Sequence, residues 1–104
     1  MTKQRIRRVL AARVPRLLSP KSAGDAAVAL ILSGTLNPEL TLCVKSAHLR
    51  AHANEVSLPG GKRELDDQSS LTCAIRETEE EIGVDLSPSD CLGALDQFQS
   101  LHGL

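Results

Sequence analysis

One arginine and four glutamates fall within six residues of this 104-residue chain, downstream of a pair of glycines. In a helix, side chains three or four positions apart lie on the same face, so Glu77, Glu80 and Glu81 converge while Glu79 points elsewhere. Like charges at this spacing destabilise a helix by about 0.2–0.5 kcal/mol per pair. The spacing therefore predicts that a cation lies among the carboxylates. The whole segment is LPGGKRELDDQSSLTCAIRETEEEIGV, Leu58 to Val84.

A magnesium or manganese ion is the cation that these residue types favour, because hard divalent ions prefer carboxylate, carbonyl and water oxygens. Gly60 and Gly61 let the backbone approach closely, so the carbonyl of Gly61 could complete the coordination shell. Arg76 can hold one carboxylate through a bidentate contact. Such a site polarises a phosphate and acidifies water, and one glutamate can act as general base. For the glutamates taken alone, a merely solvated helix face is the alternative.

The elements that must position these side chains are four strands and one helix, in an order that indicates a mixed α/β domain. A continuous apolar run predicts a buried first strand, and an alternating segment predicts its hairpin partner. Pro59, Gly60 and Gly61 are expected to end the third strand. The strands are predicted at residues 25–33, 39–46, 55–58 and 91–100, and the helix at residues 69–82.

The predicted helix has recognisable ends and one apolar face. Asp66, Asp67 or Ser69 can cap its start. Gly83 suits its end, because glycine readily adopts the left-handed conformation found there. The side chains predicted to face the core are Leu71, Ala74, Ile75, Thr78 and Ile82.

Basic residues are concentrated at the N-terminus. The first 21 residues hold seven Lys or Arg and no acid, whereas the remainder holds five basic residues and all 13 acids. The residues that recur near helical spacing predict an amphipathic helix on the domain, ended or kinked by Pro15; they are Ile6, Val9, Leu10, Val14 and Leu17. An arginine-rich mitochondrial presequence is the alternative. We therefore expect a basic helix or arm at residues 1–24 and a domain at residues 25–104.

Composition argues against several classes of protein. Phe98 is the only aromatic residue, so the stacking platform of single-strand binders is lacking and nucleic acid is not an expected partner. No apolar run approaches the ~20 residues of a membrane-spanning helix. Cys43, Cys73 and Cys91 are odd in number and form no CxxC pair, which indicates free thiols filling the core. The cytoplasm is the expected location, with the mitochondrial matrix as the alternative.

The acidic segment resembles the Nudix box, written GX5EX7REUXEEXGU, where U is a bulky aliphatic residue. The interval to Arg76 is one residue longer than in that pattern, Asp67 stands at its first glutamate, and Thr78 stands at its first U. The same longer interval occurs in the coenzyme A pyrophosphatase branch of the family. The residues that match the box are Gly61, Arg76, Glu77, Glu80, Glu81, Gly83 and Val84.

The segment before the box, LCVKSAHLRAHANEVSLPGGK, resembles the signature of the same branch. Asn54 stands where that signature usually has glycine, Glu55 where it usually has glutamine, and Leu58 where it usually has phenylalanine. The residues that match the signature are Ser46, Leu49, Arg50, His52, Val56, Ser57 and residues 59–62.

The resemblance implies a helix–mixed sheet–helix sandwich and a Mg²⁺- or Mn²⁺-dependent hydrolase. Its substrate would be coenzyme A or an acyl-CoA, cleaved to 3′,5′-ADP and 4′-phosphopantetheine. Glu77, Glu80 and Glu81 would be the metal ligands, with Glu77 or Glu81 also orienting or deprotonating water and Arg76 as their ion-pair partner. Three substrate-binding candidates have a structural alternative. It is a strand-end salt bridge for Arg50, a surface imidazole for His52 and a solvated loop charge for Lys62. The substrate-binding candidates are Arg50, His52, Gly60, Gly61 and Lys62.

The resemblance also implies further strands, a second acidic ligand and a closing helix after the box. We therefore expect an incomplete sandwich that is weakly stable, poorly active and able to self-associate through exposed strand edges. Two alternatives stay open. The same chemistry could act on ADP-ribose, NADH or a nucleoside triphosphate, or the chain could be an inactive fragment that only binds a ligand or pairs with another chain.

Overall fold

A computed structural model describes residues 2–17, 25–34, 36–44 and 54–98. Within these residues two helices and six short strands follow one another, which confirms the mixed α/β class. The helices are α1 (Lys3–Ala11) and α2 (Ser70–Ile82). The strands are β1 (Ala26–Val28), β2 (Ile31–Ser33), β3 (Glu39–Thr41), β4 (Cys43–Val44), β5 (Val56–Ser57) and β6 (Gly60–Lys62), and a 3₁₀ turn follows at Pro88–Asp90.

The described strands form three antiparallel pairs, β1 with β6, β2 with β3, and β4 with β5. The prediction of one buried strand over residues 25–33 is wrong, because its two halves pair with different partners. The amide of Ala29 donates to the carbonyl of Pro59 at 2.8 Å and extends the β1–β6 ladder past Val28. Val28 and Leu30 are 40% and 49% exposed, so this run is not buried.

The predicted hairpin is confirmed for β2 and β3, in which Ile31 pairs with Thr41 and Ser33 with Glu39. The second predicted strand, however, divides at Leu42, because β4 pairs with β5 instead. Residues 45 and 46 of that prediction lie outside the described residues. The third predicted strand is confirmed as β5. The glycines were expected to end it, yet Gly60–Lys62 forms β6.

Helix α2 has the predicted ends. The Ser69 hydroxyl accepts a hydrogen bond from the amide of Thr72 at 3.1 Å, and Gly83 adopts φ +70° while its amide donates to Glu79. The predicted apolar face is only partly right, because Leu71 is 37% exposed. The helix packs on β1 and β6. The helix residues fully buried there are Cys73 and Thr78.

Thr78 shows how a polar side chain can occupy an aliphatic position of the box. Its hydroxyl donates to the carbonyl of Ala74 at 2.6 Å, one turn earlier in the same helix. Because a buried hydroxyl is costly only when it lacks a partner, this bond lets Thr78 pack in the core.

Replacing Ser69 by alanine is expected to lower the free energy of unfolding by about 1 kcal/mol, because it removes the cap of α2. Ser70→Ala is the matched control, since Ser70 is the exposed first residue of the helix. Urea titration followed by circular dichroism measures both variants. Equal losses in the two variants would contradict the capping role.

Helix α1 forms within the predicted N-terminal segment and lies against the segment that follows the 3₁₀ turn. It ends at Ala11, before Pro15. The Arg7 guanidinium donates to the carbonyl of Cys91 at 3.2 Å. A Cβ built on Gly93 would lie 2.6 Å from that of Leu10, so glycine permits this close packing.

The prediction of a strand at residues 91–100 is wrong for its described part, because residues 91–98 form no strand. The reason is that this segment bonds to the chain after α1. The amide of Gln97 donates to the carbonyl of Arg16 at 2.8 Å. Asp96 accepts from the amide of Arg16 at 2.8 Å and from the guanidinium of Arg13. These donors lower the pKa of Asp96.

Within the described ranges, neither helix has the length and apolar character needed to cross a bilayer.

Candidate active site

A buried ion pair joins the loop after β6 to helix α2. Asp67 is only 5% exposed. Its two carboxylate oxygens accept from Nε and Nη2 of Arg76 at 3.0 and 2.8 Å, a two-point contact that fixes the guanidinium plane. The amide of Glu64 adds a third bond to this carboxylate at 2.8 Å. Nη2 of Arg76 also donates to the carbonyl of Lys62 at 3.2 Å, so Arg76 is held from both sides.

These contacts determine the charge states of the pair. The Arg76 guanidinium, and then the amide of Glu64, hold the pKa of Asp67 well below its usual range, although burial opposes them. The hydrogen bonds to Asp67 correspondingly raise the pKa of Arg76. Beside the pair, burial and the negative charge of Asp67 raise the pKa of the Cys73 thiol. Asp67 and Arg76 are therefore both charged at neutral pH, and Cys73 is a protonated core residue, as expected.

The remaining nitrogen of Arg76 lies among the glutamates. Nη1 is 2.9 Å from Glu77 Oε1, 3.2 Å from Glu80 Oε2 and 3.5 Å from Glu64 Oε1. The cation that the spacing predicted among the carboxylates is thus, in this arrangement, the guanidinium of the same helix. With Asp67 included, one positive charge faces four negative ones, so the group keeps a net negative charge that a further cation would neutralise.

Glu77 also packs against the glycine pair. A Cβ built on Gly61 would lie 2.6 to 2.8 Å from the carboxylate atoms of Glu77, so only glycine leaves room for this side chain. The carbonyl of Gly61 accepts from the Cys73 thiol at 3.6 Å. At Gly60 the close neighbour is backbone instead, since its Cβ would lie 2.3 Å from the carbonyl oxygen of Ala27. The two glycines therefore serve different purposes.

Glu81 turns away from Arg76 toward the strand pair β4–β5. Its Oε2 lies 3.5 Å from the thiol of Cys43. That thiol is half-buried, whereas the sequence predicted that it fills the core. The thiol of Cys91 is likewise half-buried. Glu79, Glu80 and Glu81 are all exposed.

The position of the glutamates in the helix adds to their electrostatic cost. Glu79, Glu80 and Glu81 occupy the last turn of α2, which contains no basic residue. The carbonyl end of a helix carries a partial negative charge, so acids there destabilise the helix by about 0.3–1 kcal/mol each. This arrangement is unfavourable for stability alone and suits a site that receives a cation.

Carboxylate and carbonyl oxygens beside a glycine form a donor set that fits Mg²⁺ or Mn²⁺. In the described residues the carboxylates of Glu77, Glu80 and Glu81 do not converge on one position. No group of three His, Cys, Asp or Glu side chains within those residues is arranged as metal ligands. The reason is visible, because Arg76 holds Glu77 and Glu80 while Glu81 contacts Cys43. The metal site stays a prediction.

The predicted substrate residues divide into two groups. Arg50 and His52 lie outside the described residues. Gly60, Gly61 and Lys62 form β6 beside α2. The side chain of Lys62 is exposed, and its backbone carbonyl supports Arg76.

Sequence reasoning missed two features of this site. Asp67 was considered as a helix cap and as the box acid, but its role here is to hold Arg76. Its box position could have indicated that role. Nothing in the sequence pattern indicated a role for Cys43, because only the tertiary structure brings its thiol near Glu81.

Stability is expected to depend on pH through Asp67. Because its folded pKa is lower than its unfolded value of about 3.9, the ionised carboxylate stabilises the protein fully above roughly pH 5. That stabilisation is lost as the pH falls through the folded pKa. In urea titrations the stability difference between the wild type and Asp67→Asn should therefore be largest near neutral pH and shrink toward about pH 2. Asp66→Asn, an exposed neighbour, is the control, and a difference independent of pH would contradict the prediction.

The mixed α/β fold and the comparison with known families agree. The chain belongs to the NUDIX domain family, whose model matches residues 24–104. It is similar to the protein named "Uncharacterized Nudix hydrolase NudL" from Yersinia pestis (strain Pestoides F) and from Yersinia pseudotuberculosis serotype O:1b (strain IP 31758). Identity to each is 39% over 84 residues, which cover 79% of this chain and 42% of the relative. The chain thus spans about two fifths of the length of these curated relatives.

Proposed function

We propose that this chain carries the catalytic centre of a Nudix hydrolase that cleaves the pyrophosphate of coenzyme A or an acyl-CoA. The products would be 3′,5′-ADP and 4′-phosphopantetheine. The observation that carries the proposal is the acidic end of α2, where Glu77 packs on Gly61 and shares Arg76 with Glu80. The family membership and the names of the relatives support hydrolysis.

The metal would be held by Glu77, Glu80 and Glu81, with the carbonyl of Gly61 as a further oxygen donor. When bound, Mg²⁺ or Mn²⁺ supplies polarisation of the phosphoryl group and a lower pKa for bound water. Arg76 cannot lose its proton under these conditions. Its two bonds to Asp67 keep it in place even when its contacts with the glutamates change.

One glutamate would orient the attacking water and accept its proton, and Glu77 and Glu81 are the two candidates. Glu81 is the better placed, because the guanidinium contacts Glu77 and Glu80. We therefore assign the proton acceptor to Glu81, and metal binding together with orientation to Glu77.

The choice of coenzyme A rests on the signature before the box, and one backbone feature supports it. Asn54 replaces the usual glycine and adopts φ +62°. Asparagine is among the few non-glycine residues that tolerate this left-handed conformation. The substitution therefore keeps a backbone shape that glycine would also provide, and this departure from the signature does not argue against the branch.

The test is a substrate panel with the purified chain and either Mg²⁺ or Mn²⁺. Coenzyme A, acetyl-CoA, ADP-ribose, NADH and a nucleoside triphosphate are each incubated, and products are identified by mass. The proposal expects 3′,5′-ADP from the coenzyme A compounds at the highest kcat/KM. A preference for ADP-ribose, NADH or the triphosphate would retain the chemistry and reject the substrate. Metal-dependent binding of coenzyme A with no turnover would favour the binding-only alternative.

A further inference from the structure

We propose that Cys43 is a positioning residue for Glu81, an inference that rests on the hydrolytic function proposed above. The thiol sulfur lies 3.5 Å from Glu81 Oε2. It comes from β4, whereas Glu81 lies at the end of α2, so the contact joins two elements that are distant in sequence. This contact would hold the carboxylate of Glu81, the proposed proton acceptor, in one orientation.

The strand pairing determines where the thiol can point. Cys43 is the Cα partner of Ser57 in the β4–β5 pair. Its sulfur is 3.3 Å from the Ser57 carbonyl oxygen and 3.7 Å from the Ser57 hydroxyl oxygen. The side chain is half-buried. These contacts keep the thiol on the side of the strand pair that Glu81 approaches.

The Cys43 thiol has one proton to donate, and three oxygen atoms lie within hydrogen-bond distance of its sulfur. Only the oxygen of Glu81 belongs to a charged group, and charge-assisted hydrogen bonds are stronger than neutral ones. The S–H group is a weak donor, so the expected effect is moderate. Because Glu77 and Glu80 are oriented by Arg76, this contact would give Glu81 an orienting partner on a different element.

The test compares variants with and without a donor at position 43. Cys43→Ala and Cys43→Val remove the donor, and the valine keeps the volume and the strand preference. Both are expected to lower kcat about fivefold with KM changed less than about twofold. Cys43→Ser should recover kcat to within about twofold of the wild type, because the hydroxyl can donate. Cys91→Ala is the control, since the Cys91 thiol instead lies 3.6 Å from the carbonyl oxygen of Gly93.

A double variant separates positioning from a general structural effect. Adding Cys43→Val to Glu81→Gln should cause no further loss of kcat, because two residues acting through one contact are not additive. An additional fivefold loss, or an equal loss in Cys91→Ala, would overturn the proposal. Failure of Cys43→Ser to recover activity would do the same.

A second measurement does not depend on turnover. The ¹³C resonance of the Glu81 carboxylate, identified by its absence in Glu81→Gln, should shift in Cys43→Val and stay in place in Cys91→Ala. If the wild type hydrolyses none of the panel but this pattern is found, the proposed function fails and the positioning contact stands. If the resonance does not move in Cys43→Val, the contact itself is refuted.

Discussion

Replacing Glu81 by glutamine is expected to lower kcat for pyrophosphate hydrolysis by about 10²–10⁴-fold, the usual contribution of a positioned general base. The amide has nearly the same shape but cannot accept the proton of the attacking water. It also removes one negative charge from the predicted ligand set, so the affinity for Mn²⁺ should fall by roughly tenfold or more. Steady-state kinetics and a Mn²⁺ titration by isothermal calorimetry measure the two effects separately.

Glu79→Gln is the matched control for this experiment. Glu79 lies on the same turn of α2 and carries the same charge, but by helical spacing it points away from the face shared by Glu77, Glu80 and Glu81. Its replacement should leave kcat and Mn²⁺ affinity unchanged, and removing an acid from the carbonyl end of the helix should not destabilise the protein. Normal turnover in Glu81→Gln, or equal losses in both variants, would remove the catalytic assignment of the box.

Alanine at Gly60 is expected mainly to lower stability, whereas alanine at Gly61 is expected mainly to lower activity. In Gly60→Ala the new Cβ would lie 2.3 Å from the Ala27 carbonyl oxygen and 2.7 Å from the Val28 Cα. Because both are backbone atoms of the paired strand, β1 and β6 must separate. We expect the free energy of unfolding to fall by about 3 kcal/mol or more, at or above the usual range for overpacking. Urea titration measures this loss.

In Gly61→Ala the atoms nearest to the new Cβ are those of the Glu77 carboxylate, the far end of a flexible side chain. That carboxylate can move, so the stability loss should stay near about 1 kcal/mol. Displacing a catalytic or ligand group by about 1 Å can cost 10²-fold in rate, and kcat/KM should fall by that order. The prediction would be wrong if Gly61→Ala were fully active, or if it unfolded as readily as Gly60→Ala.

The glycine pair therefore links the fold to the site. Gly60 allows two strands to approach, and Gly61 allows a glutamate to lie against the strand that those contacts form. The Gly60–Gly61 pair thus meets two separate requirements, close strand approach at Gly60 and room for the Glu77 side chain at Gly61.

The local structure of α2 could be predicted from the sequence. The apolar spacing, the serine cap and the terminal glycine are interactions within a few residues, and they gave the correct ends of the helix. The partners of Arg76 were only partly predictable. Its contact with Glu80, four residues on, follows from helical spacing, whereas its bond to Asp67 depends on how the loop after β6 returns to the helix.

Strand pairing was the least predictable part of the fold. The run at residues 25–33 carries a uniform apolar signal and contains no break that sequence alone would show. It divides because the first half pairs with the distant strand β6, whereas the second half pairs with β3, the next strand along the chain. The segment at residues 91–98 has a strand-like composition, but its backbone and Asp96 bond to the chain after α1 instead.

The sequence by itself determined the chemistry that this protein can offer, namely clustered carboxylates, one internal arginine and two glycines at the spacing of the Nudix box. Those properties depend on residue type and helical periodicity, which act over one or two turns. Only the tertiary structure decided which carboxylate meets which partner on another element: Asp67 with Arg76, and Glu81 with Cys43. Such contacts join distant segments, and their geometry is determined by packing rather than by local preference.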